Sequence, residues 1–509
     1  MAASSTRKHA MIHSTRYRPD ARPARRMRLR HAPLAAALAA LVAVAGCASH
    51  DGLRPAGKPL DLAALDAGQD IAAAVRDTAD DAAPWWRAWG DDQLDRLMAD
   101  ALRQAPGVRA AQARLGQAEA VFGSVDAKRQ PTLDGSATIT ADRYPGHYTY
   151  GAPYADNTGG SGSLLASLRL RLDIWGKWRA LADAARLDAE GAALAHADAQ
   201  LALQQGIAAA YLRLDAAFRL HELARQQRER QRQALELHQT RRQAGLGSDA
   251  PVADARGRLA RMDAEVERLD REIARQRHAL AALAGQAPGY GDALRRPRLA
   301  LRADPALPAA LPARLLGLRP DVLAQRKRLD AADRRIEAAK AEFYPDIDLK
   351  AFAGLQSLGL SHLLQGNSLA AGIGPALTLP IFDGGRLRAG LRDRIAGYDL
   401  AVADYDAAVV RALQEVADGL AGMAQARARR DAARVSLREA GTLARLQAVR
   451  ASRGLSARQD EIDTDLERLR ADSELAAADL DLGLARTALA GALGGRWSPS
   501  QSSDNEALK

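Results

Sequence analysis

The chain contains four short segments in which hydrophobic and polar residues alternate. In residues 163–172, leucine or alanine occupies most second positions, and serine or arginine lies between them. A period of two is typical of a strand with one apolar face. The same period occurs in residues 347–355 and 373–381, and more weakly in residues 133–141. We therefore expect two pairs of strands. Turn-rich loops join the members of each pair, over residues 143–162 and 357–371.

A very long helical pattern follows each pair of strands. After Asp383, hydrophobic residues recur at intervals of three and four, and no proline interrupts them before Arg453-Gly454. Residues 177–244 show a matching pattern. A helix of about 65 residues would be about 100 Å long, far longer than an average globular helix. Returning helices then reach about Leu283 and Leu493. The predicted turns between the long and the returning helices contain Gly245, Leu246 and Ser248 in one case and Gly454, Leu455 and Ser456 in the other.

The chain also repeats itself. Residues 108–131 and 322–345 coincide at seven positions without a gap, and a proline precedes both blocks, at Pro106 and Pro320. Proline suits the first turn of a helix, so the repeat marks two equivalent helix starts. The predicted divisions are a leader (1–46), an N-terminal and equatorial segment (47–104), a first repeat (105–284), an equatorial linker (285–318), a second repeat (319–493) and a C-terminal tail (494–509).

Four strands of about ten residues have the length needed to cross an outer membrane. They cannot close a barrel alone, because the smallest barrels have about eight strands and lipid does not tolerate open strand edges. Several copies of the chain must therefore combine, and physical reasoning alone permits a dimer or a trimer. Polar residues on one face would line the lumen: Arg169, Arg171, Asp348 and Lys350.

The only cysteine, Cys47, follows a basic segment and a short apolar run. This order is typical of a secretory signal, and the run is too short for a permanent membrane span. Residues 44–47 read VAGC, which resembles a bacterial lipobox, in which cleavage precedes a lipid-bearing cysteine. Ala48 at the next position resembles the pattern sorted to the outer membrane. Met27 is an alternative start, which would make residues 1–26 an extension.

Charge gives no support for nucleic-acid binding once the leader is considered. The formal charge is +10, but residues 1–46 hold nine basic residues and one acidic residue, which leaves +2 for the rest. Enzyme motifs such as HExxH, GxSxG and a phosphate-binding loop are absent from the sequence. The histidines are scattered rather than placed at ligand spacing. We expect no enzyme activity, no resident metal and no cofactor apart from a covalent lipid on Cys47.

Several motifs together resemble the TolC family of outer-membrane efflux ducts, in particular its lipoprotein branch. They are WWRAWGDDQL at 85–94, LDIWGKWR at 172–179, FYP at 343–345, LPIFDGGR at 379–386, ALQEV at 412–416 and the two glycine turns. The resemblance covers about residues 84–494. It implies a mainly α chain in which a trimer shares a 12-stranded outer-membrane β-barrel and a 12-helix periplasmic α-barrel, encircled midway by a mixed belt.

The same resemblance implies where function resides. Acidic residues just beyond the second glycine turn, here Asp460 and Asp463, would form stacked carboxylate rings at the periplasmic entrance. Such rings would repel anions, favour cations and could hold a divalent ion. The first copy carries Pro251 at the equivalent place. The implied partners are a periplasmic membrane-fusion adaptor at the helix turns, an inner-membrane resistance-nodulation-division pump and outer-membrane lipid. Alternatives are a type I protein-secretion duct and an envelope coiled-coil lipoprotein without a pore.

Overall fold

The computed structural model describes residues 49–61, 84–147, 151–152, 154–300 and 319–495. The helices in these residues are α1 (Asp92–Gln104), α2 (Pro106–Asp126), α3 (Lys177–Gln243), α4 (Asp249–Leu283), α5 (Pro288–Asp292), α6 (Pro320–Ala341), α7 (Arg386–Ser452) and α8 (Arg458–Ala492). The strands are β1 (Thr132–Arg143), β2 (Thr158–Leu172), β3 (Asp346–Leu358) and β4 (Leu369–Thr378).

The two halves of the chain have matching elements, which confirms the predicted duplication. Helices α3 and α7 each contain 67 residues, and helices α4 and α8 each contain 35. At 1.5 Å per residue the longer pair measures about 100 Å. Pro106 and Pro320 occupy the first turns of α2 and α6, where a missing backbone N–H costs no hydrogen bond.

The four strands form one antiparallel sheet in the order β1-β2-β3-β4. Strand β2 begins at Thr158, inside the predicted loop, because its glycine-rich start pairs with the end of β1. The prediction that alternation continues through Leu379 and Ile381 is wrong. Strand β4 ends at Thr378 because Thr378 pairs with Asp346, the first residue of β3, which leaves no partner in β3 for Leu379 or Ile381.

The register sorts the sheet residues into an apolar face and a polar face. Leu164 is opposite Leu355, which in turn is opposite Leu369. Residues two apart on a strand share a face, so this apolar row is repeated along all four strands. Many of its members are exposed in the single chain, including Leu133, Ile139, Ile373 and Leu377. The sheet therefore has one large apolar surface that the described residues do not cover.

The long helices form a wall one element thick, and the N-terminal segments pack against it. Near the sheet, contacts run α2-α3-α6-α7, and farther away they run α4-α3-α8-α7. The helices of the first level lead directly into β1, β2, β3 and β4, so that the helical wall continues the sheet. Within the described residues, no helix combines the length and the apolar character that a bilayer crossing requires.

The largest apolar core lies midway along the helices. Trp85, Trp86 and Trp89 are buried there with Tyr211. The Tyr211 hydroxyl donates to Asp91 Oδ2 at 2.8 Å. The first part of the predicted equatorial linker also packs here: the Ala300 N–H donates to the Trp89 carbonyl, and the Arg298 N–H donates to Asp91. The remaining linker, residues 301–318, lies outside the described residues.

Candidate functional site

Each long helix ends in a glycine turn at the end of the molecule remote from the sheet. Gly245 and Gly454 have φ angles of 71° and 70°, a region that glycine adopts without the steric cost of a side chain. The next residue in each turn donates its N–H back into the helix, Leu246 to Arg241 O and Leu455 to Arg450 O. This 6→1 bond identifies a Schellman motif.

The two turns present apolar tips. Leu246 is 73% exposed and Leu455 is 66% exposed. Ser248 is the N-cap residue of α4, although its side chain makes no capping hydrogen bond. The Oγ atom of Ser456 is buried without a hydrogen-bond partner among the residues that the structure describes. The residues predicted for adaptor contact therefore lie together at one end, and their contact with a partner remains a prediction.

Asp460 and Asp463 lie in the first two turns of α8, directly beyond the second glycine turn. Both are exposed. Asp460 Oδ2 accepts the Ala457 backbone N–H at 3.2 Å, which caps the helix, and Asp463 Oδ1 accepts from the Gln459 amide at 2.9 Å. Ile462, on another face of the helix, is buried in contact with α3. The two carboxylates thus point away from the packed face of the protomer.

The first repeat does not reproduce this arrangement. Pro251 lies in the first turn of α4. The neighbouring acids form local ion pairs, Asp249 with Arg242 at 3.0 Å and Asp254 with Arg258 at 2.7 Å. The structure therefore gives the two tips different electrostatics.

A ladder of ion pairs joins α3 to α8 above the tips. Arg219 lies between Asp472 and Asp479, at 3.1 and 2.9 Å, and Arg230 contacts Asp465 at 2.6 Å. Local sequence patterns do not reveal this ladder, because its partners are separated by 235 to 260 residues in the sequence. The ladder holds the second helical hairpin to the first, alongside small apolar clusters.

Asp465 is the most enclosed of the three carboxylates in this ladder. Burial alone would raise its pKa, but hydrogen bonds from Arg468 and Arg230 outweigh that effect. The net result is a pKa below the ordinary value of 3.8. Asp465 Oδ1 accepts from Arg468 at 2.7 Å, so both carboxylate oxygens are occupied by guanidinium groups.

The polar sheet face brings together the four residues predicted for the lumen. Arg169 is opposite Lys350, and Arg171 is opposite Asp348. Arg169 Nε lies 3.8 Å from Asp348 Oδ2, diagonally across the ladder. The shared face follows from the alternation of the strands. Its position in a lumen depends on how copies assemble, and it stays a prediction.

Residues 49–61 form an extended N-terminal strap along α7. Asp399 Oδ1 accepts the backbone N–H groups of Ala56 and Gly57, and Asp406 Oδ1 accepts that of Leu60. At its beginning, the Ser49 carbonyl accepts from Arg388 at 2.6 Å. Sequence analysis did not identify these aspartates. Cys47, the predicted lipid site, lies outside the described residues.

Residues 97–286 and 311–495 match the family described as outer membrane efflux protein. The chain belongs to this family. The match covers both repeats, and it confirms the resemblance noted in the motifs.

Known relatives agree with this assignment. The chain is 39% identical to the fusaric acid resistance protein FusA of Burkholderia cepacia, over 71% of this chain and 69% of that protein. It is 32% identical to the outer membrane protein OprJ of Pseudomonas aeruginosa, over 88% of this chain and 92% of that protein. The crystal structure of the outer membrane protein VceC of Vibrio cholerae superposes with a TM-score of 0.73 at 30% identity, over 82% of this chain and 99% of that one.

The ladder predicts a pH-dependent stability. The pKa of Asp465 is lowered in the folded state, so its ionised carboxylate stabilises that state. This stabilisation is complete above pH 3.8 and is lost as the pH falls through the folded-state pKa. We expect Asp465→Asn to destabilise the protein by about 2 kcal/mol at pH 6, where Arg230 and Arg468 lose a charged acceptor. Thermal unfolding at pH 6 and pH 3 measures this.

The difference between wild type and Asp465→Asn should shrink at pH 3. Glu229→Gln is the matched control, because Glu229 pairs with Arg232 on the exposed surface of a single helix. An equal effect of Asp465→Asn at both pH values would contradict the assigned role of its charge.

Proposed function

We propose that three copies of this chain form the outer-membrane exit duct of a tripartite efflux system. The observation that carries this proposal is the single-layer wall, whose sheet has an uncovered apolar face and two unpaired edges within the described chain. Three copies of the four strands would close a 12-stranded barrel, and three copies of the four-helix wall would close a 12-helix tunnel. Closure would turn the apolar face to lipid and the polar face to water.

The direction of the duct follows from the fold. The sheet and the glycine tips lie at opposite ends of helices about 100 Å long, so a tunnel built from them can extend across a periplasm. The tips, with exposed Leu246 and Leu455, form the surface available to a periplasmic adaptor and an inner-membrane pump. The four paired strands argue against the alternative of a coiled coil without a pore.

The transported class is proposed from the relatives. The names of relatives concern fusaric acid resistance, multidrug resistance and solvent or toluene efflux. We propose that this duct passively conducts small toxic compounds that a pump delivers. It performs no bond chemistry, so selectivity within the duct arises from charge and shape along its wall.

A lipid anchor on Cys47 fits the path of the strap. Ser49 lies two residues beyond Cys47 in sequence. Its carbonyl accepts a hydrogen bond from Arg388 in the first turn of α7, next to the sheet. His50 lies edge-on to Phe343 and Tyr344, at the end of α6 beside β3. The strap therefore begins at the sheet end, where the proposed barrel meets the periplasm. A lipid attached there would enter the inner leaflet of the outer membrane.

The assembly is tested by placing a charge on each sheet face. Ile373 is 77% exposed on the apolar face of β4, and Ala376 lies on the polar face opposite Asp348. We expect Ile373→Arg to cost about 2–4 kcal/mol in lipid and to reduce outer-membrane trimers strongly. Ala376→Arg, on the same strand, should assemble normally. Native mass spectrometry of outer-membrane extracts measures both, and a soluble wild-type monomer would overturn the proposal.

The acidic entrance is tested by neutralisation. In reconstituted channels, Asp460→Asn with Asp463→Asn should lower the cation-to-anion permeability ratio by roughly threefold, because three copies lose six carboxylate charges near one constriction. Asparagine retains an oxygen for the Ala457 N–H. Glu467→Gln, on the same exposed side of α8 but nearer the sheet, is the control. Unchanged reversal potentials in the double variant would remove the gate role.

The anchor is tested separately from the pore. We expect Cys47→Ser to abolish labelling by radioactive palmitate and to impair processing of the leader. The conductance of assembled Cys47→Ser trimers should equal that of wild type, because the barrel strands hold the pore in the membrane. Continued palmitate labelling would refute the lipid site. Lost conductance in correctly assembled trimers would refute the division of roles.

A further inference from the structure

Three cationic side chains surround one indole at the end of the polar sheet face where the strands meet the helices. Lys128 Nζ, Arg171 Cζ and Lys177 Nζ lie 5.5, 5.3 and 5.3 Å from the centroid of the Trp178 ring. They come from the turn after α2, the end of β2 and the start of α3. We call these four residues the Trp178 nest. Three elements converge to build it, so it is a tertiary feature of the wall.

Backbone contacts fix the nest. The Arg171 guanidinium donates to the Lys128 carbonyl at 3.2 Å, which ties β2 to the turn after α2. The backbone N–H of Trp178 donates to Asp173 Oδ1 at 3.0 Å, and the backbone N–H of Arg179 donates to Asp173 Oδ2 at 2.7 Å. The cations are therefore held close together, although like charges repel.

The positive charge of the nest is only partly neutralised. In the part of the chain that the structure describes, one carboxylate lies at ion-pair distance from any of the three cations: Glu342, 3.2 Å from Lys177 Nζ. Arg169, two residues from Arg171 on the same face, differs, because it has Asp348 as a partner. Lys128 and Arg171 have no carboxylate at ion-pair distance among the described residues, and an anion would supply one.

The indole offers an additional donor. Trp178 Nε1 is buried and has no hydrogen-bond partner among the described residues. A buried donor without an acceptor is costly, and a bound oxygen would remove that cost. An indole N–H, a guanidinium and an ammonium group are all donors, and a carboxylate has only acceptors. The chemistry of the nest therefore matches a carboxylate.

We infer that the Trp178 nest binds a small organic anion, of the carboxylate class, as it passes along the duct wall. Arg171 would bind the carboxylate through its forked N–H groups and Lys128 through its ammonium charge. This inference rests on the proposed function, since it requires the polar sheet face to line the lumen. Three copies would place a cationic ring where the barrel joins the tunnel, at the opposite end from Asp460 and Asp463.

Benzoate and its neutral isostere benzamide are the probes. With the full-length protein in detergent, calorimetry should detect benzoate binding and no comparable benzamide binding. Lys128→Gln with Arg171→Gln should weaken benzoate binding by about tenfold, because two charges within a few ångströms are lost. Trp178→Phe keeps the ring and removes the N–H, and should weaken binding less. Equal binding of benzoate to wild type and to the double variant would overturn the inference.

Arg169→Gln is the matched control, because it removes the same charge from the same face at a position that already has a carboxylate partner. It should change benzoate affinity by less than about twofold. An equal loss in Arg169→Gln would show a general charge effect and would refute the nest as a site. Circular dichroism and native mass confirm that each variant folds and assembles.

A second measurement separates this inference from the proposed function. In planar bilayers, benzoate should reduce the current through wild-type channels more than through the double variant, and benzamide should affect both equally. Wild-type channels that conduct but respond equally to both probes would refute the nest and leave the duct intact. A wild-type protein that forms no channels would refute the duct, and the nest as a transit site with it.

Discussion

The architecture depends on one constraint: backbone N–H and C=O groups must be paired where water is absent. The described sheet ends at β1 and β4, whose outer edges have no partner among the residues that the structure describes. About six residues of the 12-residue β1 direct their backbone groups outward. Each of these residues has one N–H and one C=O, so about twelve groups would be unpaired, and each costs about 2–7 kcal/mol in lipid. The sum exceeds the 5–15 kcal/mol stability of a typical domain, so an open sheet cannot remain in a bilayer.

The same constraint explains why the helices form a wall rather than a bundle. Each strand is preceded or followed by a helix, so the order of the four strands in the sheet sets the order of the four helices next to it. A wall one element thick buries little on its own, and the helices carry exposed apolar residues such as Val410 and Leu446 on α7. Ion pairs between α3 and α8 add directional contacts where apolar burial is limited. Oligomer closure at the sheet would therefore also complete the helical layer.

Sequence predicted the elements that depend on local patterns. Strand alternation, helical periodicity, glycine turns and duplicated prolines each involve neighbours within a few residues, so α3, α7 and the polar sheet face could be assigned correctly. The start of β2 was missed because glycines carry no hydrophobic pattern. The hydrogen bonds from the strap to Asp399 and Asp406, and the ion-pair ladder at Arg219, could not be predicted. Their partners are hundreds of residues away, and isolated aspartates resemble solvated surface.

Paired charges hold the helices in position, whereas charges without a partner are available for selectivity. Most arginines and acids of the helices pair with each other, as Glu265 with Arg268 and Glu272 with Arg275, and such pairs neutralise the wall over most of its length. An almost neutral wall attracts solutes of either sign only weakly. Charge then acts where pairing is incomplete, which in the described chain includes the Asp460 tip and the Trp178 nest. In the proposed duct, the first would lie at one end of the helices and the second at the other, so opposite preferences along one path would keep either ion type from being held throughout.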